Sequence, residues 1–235
     1  MPGLPAAYGV MHDDEIERYH HHRATLRRRT TWEAARGTEL TVDQIDTICD
    51  HAAVLTAGFG RATRPFLNVD AVVVHARSIV TRGPRSIGGR LMSSAPRRIS
   101  GLSSHGRGPI LLEWAAIERQ VAHPGHGHNV ILHEFAHKLD QLDGAADGMP
   151  PLPDREARAG WTQTIGTNFR RLRRRGPDPL VRAYAATNPA EYFAVITELF
   201  FLRPVELRER FPRVYLRLSE FYAQDPAERA LLIRR

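Results

Sequence analysis

Apolar positions recur three and four residues apart over several stretches of the chain, which predicts amphipathic helices. Each stretch follows a polar residue that suits the N-terminal cap of a helix. The predicted helices begin after Thr41, Asn129, Asp154 and Asn188 and end near residues 59, 142, 175 and 202. Two shorter helices are predicted to fill residues 204–235.

Two short runs have the pattern of strands instead. Residues 69–74 are rich in valine and bounded by turn residues, and residues 110–114 form a second apolar run. Residues 77–108, rich in Arg, Ser and Gly, predict a long loop or irregular strands. Strands early and helices late are typical of an α+β fold, with a small mixed sheet followed by a helical half.

The first 30 residues contain Pro, Gly, three consecutive histidines at 20–22 and an arginine run at 27–29. We expect residues 1–30 to form a flexible arm whose histidines are solvated, and residues 31–235 to form a single domain. Cys49 falls in an apolar stretch and is expected to be an inert core residue.

The charge at first favours an acidic partner, because 33 Lys and Arg against 26 Asp and Glu give a net charge of +7. However, Lys138 is the only lysine, and such exclusive use of arginine indicates codon bias more than a selected nucleic-acid surface. The chain has a single cysteine, no apolar run long enough for a membrane span and no secretory signal pattern. We therefore expect a cytoplasmic protein without membrane contact or a disulfide framework.

The chemistry concentrates in the predicted helix after Asn129. His133 and His137 stand four residues apart, so on a helix they project from one face and can reach the same Zn²⁺. Glu134 lies beside them, where it can serve a water bound to the metal. The competing interpretation is an amphipathic helix with two ordinary histidines.

A catalytic zinc site needs a third protein ligand, and no His or Cys follows His137. Glu191 and Glu198 are the best downstream carboxylates, because they lie seven residues apart among apolar residues and share a helix face. Glu191 could instead close a capping box onto Asn188, and Glu198 could pair with an arginine. Spacing alone does not choose between the two.

These residues resemble the MtfA (Mlc titration factor A) family of zinc-dependent peptidases. The likeness rests on HEFAHKLDQLDGAADGMP, AYAATNPAEYFAV and FYAQDPAER. It covers about residues 30–230 and is specific over 129–226. The resemblance implies a zincin-like fold of the gluzincin type and hydrolysis of peptide bonds, aminopeptidase-like, in bacterial cytosol.

Carried over by motif, the resemblance makes His133, His137 and Glu191 the ligands of one zinc ion per chain. It makes Glu134 the general base and Tyr184 the hydrogen-bond donor to the transition state. For an enterobacterial member it also implies binding to a glucose-responsive repressor. The alternative function is therefore a regulatory protein that sequesters a transcriptional repressor with little proteolysis. Nucleic-acid binding is the least favoured hypothesis, since no DNA- or RNA-reading motif is present.

Three further features carry weaker expectations. Asp140, one turn past His137, could hold an imidazole N–H or form a salt bridge or local cap. Residues 123–128 contain three histidines in a Pro- and Gly-containing stretch, which predicts a loop with incidental metal affinity. Residues 109–114 are expected to supply the edge strand along which an extended peptide would lie.

Overall fold

A computed structural model describes residues 10–35, 39–76, 79–81, 85–88, 91–93, 97–99, 101–103, 106–176 and 178–233. Helices make up most of this part of the chain: α1 Asp13–Arg29, α2 Val42–Val54, α3 Trp114–Ala122, α4 Val130–Asp140, α5 Arg155–Trp161, α6 Thr167–Arg175, α7 Pro189–Leu202, α8 Pro204–Arg210, α9 Pro212–Tyr222 and α10 Pro226–Leu232. Three short helices thus follow α7, where two were predicted.

The strands are short and lie early in the chain: β1 Thr31–Ala34, β2 Ala71–His75, β3 Ile79–Thr81, β4 Arg85–Gly88, β5 Leu91–Ser93, β6 Arg97–Ile99, β7 Gly101–Ser103 and β8 Ile110–Glu113. A four-stranded mixed sheet has the order β1-β2-β8-β7. β1, β2 and β8 are parallel, and β7 is antiparallel to β8. The α+β class with a small mixed sheet is confirmed. The pairs β3–β6 and β4–β5 lie in the stretch predicted as a long loop or irregular strands.

One expectation about this sheet was wrong. β8, which covers most of residues 109–114, lies between β2 and β7 and is not an edge strand. The edge next to β8 is β7, which pairs Gly101 with Leu112 and packs against α4. The error has a physical cause: β7 is three residues long and lacks an apolar run, so it gives no strand signal.

The expectation of a flexible arm is also wrong for residues 13–29. They form α1, which packs on α2 and buries Tyr19 and Leu26 in the core. His22 is buried as well, with its Nδ1 3.0 Å from the Thr56 carbonyl. The apolar positions of α1 are few among its charged residues, so the stripe that contacts the core is weak in the sequence.

The predicted helix caps are confirmed. The Asn129 side chain accepts hydrogen bonds from the Ile131 and Leu132 N–H groups, and the Asn188 side chain accepts one from the Glu191 N–H. α4 ends at Asp140, and a 3₁₀ turn over Gln141–Asp143 continues it to Gly144. α4 and α7, which carry the candidate site residues, pack against each other and lie almost entirely within the core. This packing fixes the relative positions of the two helices.

Lys138 ties α4 to the sheet. Its ammonium group is fully buried and donates to the carbonyl oxygens of Gly106 (3.0 Å) and Gly108 (2.7 Å) in the connection between β7 and β8. The Lys138 carbonyl accepts a hydrogen bond from Asn68. These bonds hold the β7–β8 connection against the helix. Within the described residues, no helix is long and apolar enough to cross a membrane.

Candidate metal centre

The two histidines of α4 face Glu191 at the start of α7. The Nε2 atoms of His133 and His137 are 3.2 Å apart. One carboxylate oxygen of Glu191, Oε2, lies 2.9 Å from the first of these nitrogens and 3.3 Å from the second. Within the described part of the chain, these three residues are the one group of His, Cys, Asp or Glu side chains placed to hold a metal ion.

The distances fit a metal ion. Four ligands at 2.0–2.1 Å from a tetrahedral Zn²⁺ stand about 3.3 Å from one another. The three measured separations are close to that value. If both nitrogens carried a proton toward this oxygen, two N–H groups would face each other at 3.2 Å and repel, whereas a cation between them accepts a lone pair from each. The donor set, two imidazoles and a carboxylate, is also that of a catalytic zinc site with one open position.

Glu198 lies on the other side of His133. The His133 Nδ1–H donates to Glu198 Oε1 over 2.7 Å, and the Asn129 N–H donates to Glu198 Oε2 over 2.8 Å. Arg182 donates to both oxygens of the same carboxylate. The predicted pairing of Glu198 with an arginine is therefore present. Its hydrogen bond with His133 fixes the ring so that Nε2 faces Glu191.

The Glu191 side chain does not close a capping box onto Asn188, which was its alternative role. The Asn188 side chain caps α7 through the Glu191 N–H, but the Glu191 carboxylate contacts His133, His137 and Tyr184 instead. The two glutamates that were equivalent in the sequence thus take different places around the same imidazole.

The charges of the cluster support a cation at this position. Burial alone would lower the pKa of His133, but its hydrogen bonds to Glu191 and Glu198 raise that pKa to about 10. Burial would raise the pKa of Glu191, yet the hydrogen bonds with His133 and His137 hold it well below its usual range. For Glu198 the contacts with His133 and Arg182 likewise outweigh burial and lower the pKa. The cluster therefore favours positive charge, which a metal ion can supply.

Glu134 lies deep beside the two histidines. Its side chain is buried, and its Oε2 atom has no hydrogen-bond partner among the described residues. Burial raises the pKa of this carboxyl, and the nearby histidines oppose the shift. A buried carboxylate oxygen without a partner is costly in a structural role, so its position favours a functional one.

Tyr184 joins the cluster through Glu191. Its hydroxyl donates to Glu191 Oε1 over 2.9 Å, and its ring centre is 6.0 Å from that of His133. Ala183–Ala186 form a 3₁₀ turn just before α7, which brings the tyrosine and Glu191 together. The structure thus places all five predicted site residues in one cluster.

Two residues near this cluster, Arg182 and Gly101, were missed by sequence reasoning. Arg182 joins Glu198 to His128, whose Nδ1 accepts from the guanidinium over 2.6 Å. Gly101 of β7 packs so closely on α4 that a Cβ atom would lie 2.5 Å from both Glu134 Oε1 and Val130 Cγ2. The sequence signal for Arg182 is its place two residues before Tyr184, directly before the AYAA segment. Gly101 has no signal apart from being a glycine.

The other residues singled out in the sequence lie outside the three-residue ligand group. Asp140 accepts a hydrogen bond from the Gly148 N–H over 3.0 Å, which makes it an anchor for the loop after α4, and burial raises its pKa to about 7. His123 and His126 are exposed and stack on each other. Cys49 is buried, and burial raises the pKa of its thiol to about 12, as expected for an inert core residue.

Helix α4 with its two histidines, the carboxylate of α7 and a buried glutamate beside them form the arrangement expected of a metal-dependent hydrolase. Comparison with known proteins identifies the family within this class. A model of the family described as glucose-regulated metallo-peptidase M90 matches residues 4–223. The chain belongs to this family of metallo-peptidases.

Curated relatives agree with this family. Mlc titration factor A of Edwardsiella ictaluri is 40% identical over 129 residues, which are 52% of this chain and 48% of the relative. The protein of the same name from Salmonella typhi shows the same identity and coverage. An uncharacterized protein of Synechocystis sp. is 32% identical over 167 residues, 70% of this chain and 61% of the relative. The matches thus span about half to three fifths of these relatives, and the resemblance to the MtfA family is confirmed.

Proposed function

We propose that the protein is a zinc-dependent metallopeptidase of the zincin-like, gluzincin type, with His133, His137 and Glu191 as the ligands of one zinc ion. The observation that supports this most directly is the convergence of three ligand atoms within 3.3 Å of one another. Zinc bound there would act as a Lewis acid that activates water and polarises the scissile carbonyl. Glu198 and Arg182 position the His133 ring.

Glu134 is the general base of this proposal. Its Oε2 atom, which has no hydrogen-bond partner among the described residues, can accept a proton from the attacking water and deliver it to the leaving amine. The Tyr184 hydroxyl, which donates to the Glu191 carboxylate, would donate to the oxyanion that develops on the substrate carbonyl. Tyr184 must exchange its bond to Glu191 for this bond as the reaction proceeds.

The substrate is proposed to be an extended peptide that lies along β7. This strand is the end of the four-stranded sheet next to α4, and Gly101 places its backbone against Glu134. Main-chain hydrogen bonds to a strand edge bind peptides with little dependence on sequence. The aminopeptidase preference rests on the family resemblance and is tested by comparing free with N-terminally blocked peptides of the same sequence.

Glu134→Gln tests the mechanism. The amide keeps the shape of the side chain but cannot accept the proton, so kcat/KM should fall by about 10³-fold while zinc content stays at one per chain. Glu118→Gln removes an exposed carboxylate from α3 and serves as the matched control, with activity unchanged. Nearly full activity of Glu134→Gln, with zinc bound, would contradict the assignment.

A second function is suggested by the name of two relatives, Mlc titration factor A, which points to a repressor partner for those proteins. In this alternative the chain binds a repressor and proteolysis is minor. Glu134→Gln separates the two hypotheses, because a binding protein would keep its partner affinity and its biological effect in this variant. A peptidase whose effect depends on cleavage would lose that effect.

A further inference from the structure

A cavity of about 630 Å³ lies apart from the candidate metal centre, between α6 and the junction of α8 with α9. The segment 178–181 and Tyr192 of α7 complete its walls. Sites for small molecules usually have volumes of about 300–1,000 Å³. This cavity is therefore large enough for a small organic ligand.

The floor of the cavity is apolar with one polar group. Leu172, Val181 and Val214 are buried there, and Tyr192 is 2% exposed. The Tyr192 hydroxyl has no hydrogen-bond partner among the described residues, and Asp178 is near enough to affect its pKa, which burial raises. A phenol hydroxyl that lines a cavity and has no hydrogen bond to the described residues can donate to a ligand there.

The rim of the cavity is cationic. It contains four arginines, of which only Arg210 is neutralised, by hydrogen bonds of 2.9–3.1 Å to Asp178. Arg171, Arg175 and Arg213 have no carboxylate partner in the described part of the chain. Arg171 and Arg175 are four residues apart on α6, so both guanidinium groups project from the same helix face.

The arrangement is more than a charged helix end. Arginines in the last turn of α6 also complement the helix dipole, but that role requires no cavity and no arginine from another helix. Here Arg213 of α9 adds a guanidinium from a different element, and the one acid at the rim is already bound. Guanidinium groups bind carboxylates and phosphates through paired hydrogen bonds, so the unneutralised rim favours an anion.

We propose that this cavity binds a small organic anion, with its phosphate or carboxylate group at Arg171, Arg175 and Arg213 and an apolar part on the floor beside Tyr192. The cavity shares no residue with the candidate metal centre. It adjoins that centre in the chain, because Val181 precedes Arg182 and Tyr192 follows Glu191.

Calorimetric titration of the full chain at low salt tests the proposal with simple probes. Phenyl phosphate and benzoate both combine an anion with an apolar ring, whereas benzyl alcohol has the ring without the charge. At least one of the anions should bind with a 1:1 stoichiometry and a Kd of about 1 mM or lower, and benzyl alcohol should not bind. The tighter of the two anions identifies the class, phosphate or carboxylate. If neither anion binds saturably, the proposal is wrong.

Variants distinguish a built site from general attraction to a basic protein. Arg171→Gln and Arg213→Gln should each weaken binding about 10-fold, since each removes a charge-assisted pair of hydrogen bonds. Arg174→Gln removes the same charge from the same helix as Arg171, but Arg174 does not line the cavity, so its Kd should stay unchanged. Equal weakening by Arg174→Gln and Arg171→Gln would overturn the proposal. Tyr192→Phe removes only the unpartnered hydroxyl and should weaken binding with no loss of fold.

Discussion

At the scale of single residues, His51 links α2 to the start of the metal-site helix. Its Nδ1 accepts a hydrogen bond from the Asn129 side-chain amide over 2.9 Å, while the Asn129 oxygen caps α4. The ring is 1% exposed, and burial lowers the pKa of His51 from 6.5 to about 4. In the protonated ring Nδ1 would carry a hydrogen that faces the N–H donor of Asn129, so the folded state favours the neutral ring.

This predicts a specific dependence of stability on pH. Because the pKa is lower in the folded than in the unfolded chain, the contribution of His51 is complete above pH 6.5 and is lost as the pH falls toward 4. The loss is about 3 kcal/mol, from about 1.4 kcal/mol per pKa unit. Urea unfolding at pH 6.5 and pH 4 should show a smaller decrease for His51→Gln than for the unaltered chain. Equal decreases would contradict this account of His51.

Gly101 is the residue at which the sheet meets Glu134. A methyl group there would lie 2.5 Å from Glu134 Oε1 and Val130 Cγ2, so either β7 or the carboxylate must move. Gly101→Ala should destabilise the protein by about 1–3 kcal/mol and reduce kcat/KM more than it changes zinc content. Gly60→Ala is the control, because its nearest neighbouring atom would be 3.8 Å away. Full stability and activity of Gly101→Ala would show that this contact is unimportant.

At the scale of elements, α1 is held to the other end of the chain. Glu15 of α1 and Arg229 of α10 form an ion pair in which both side chains are less than a tenth exposed. Tyr19 donates to Asp50 of α2 over 3.0 Å, which adds a second attachment. These contacts make α1 an integral helix of the fold.

The buried pair should be far more sensitive than an exposed one on the same helix. Glu15→Gln leaves the Arg229 charge without its counter-ion and should cost about 3–5 kcal/mol of unfolding free energy. Glu17 pairs with Arg61, but both side chains are more than half exposed, so Glu17→Gln should cost less than about 1 kcal/mol. Similar costs for the two variants, measured by urea unfolding, would contradict the integral role of α1.

The elements that could be predicted from the sequence are those with strong local signals. Thr41, Asn129, Asp154 and Asn188 cap the helices predicted from them, because a side-chain acceptor for free N–H groups is a local requirement. α1 and β7 lack such signals. The few apolar contacts of α1 depend on distant partners, and β7 is specified by its pairing with β8.

At the scale of the whole molecule, the candidate centre joins α4 to α7 and to the turn before α7. α4 ends at Asp140, more than 40 residues before this turn begins at Ala183. The pairing of His133 with His137 could be predicted because both lie on one helix at a fixed spacing. The separate places of Glu191 and Glu198 could not be predicted from spacing, since both face α4. What separates them is the rotation of α7 and the position of Arg182, which are tertiary properties.

The proposed metal centre is tested most directly by the zinc content of two variants, Glu191→Ala and Glu198→Gln, measured by mass spectrometry after dialysis. Glu191→Ala removes a proposed ligand and should lose stoichiometric zinc, whereas Glu198→Gln keeps all three ligands and should retain close to one zinc per chain with weaker affinity. The unaltered chain should contain one zinc. One zinc per chain in Glu191→Ala, together with loss of zinc in Glu198→Gln, would contradict the proposed centre. Glu191 would then have only a structural role at the N-terminus of α7.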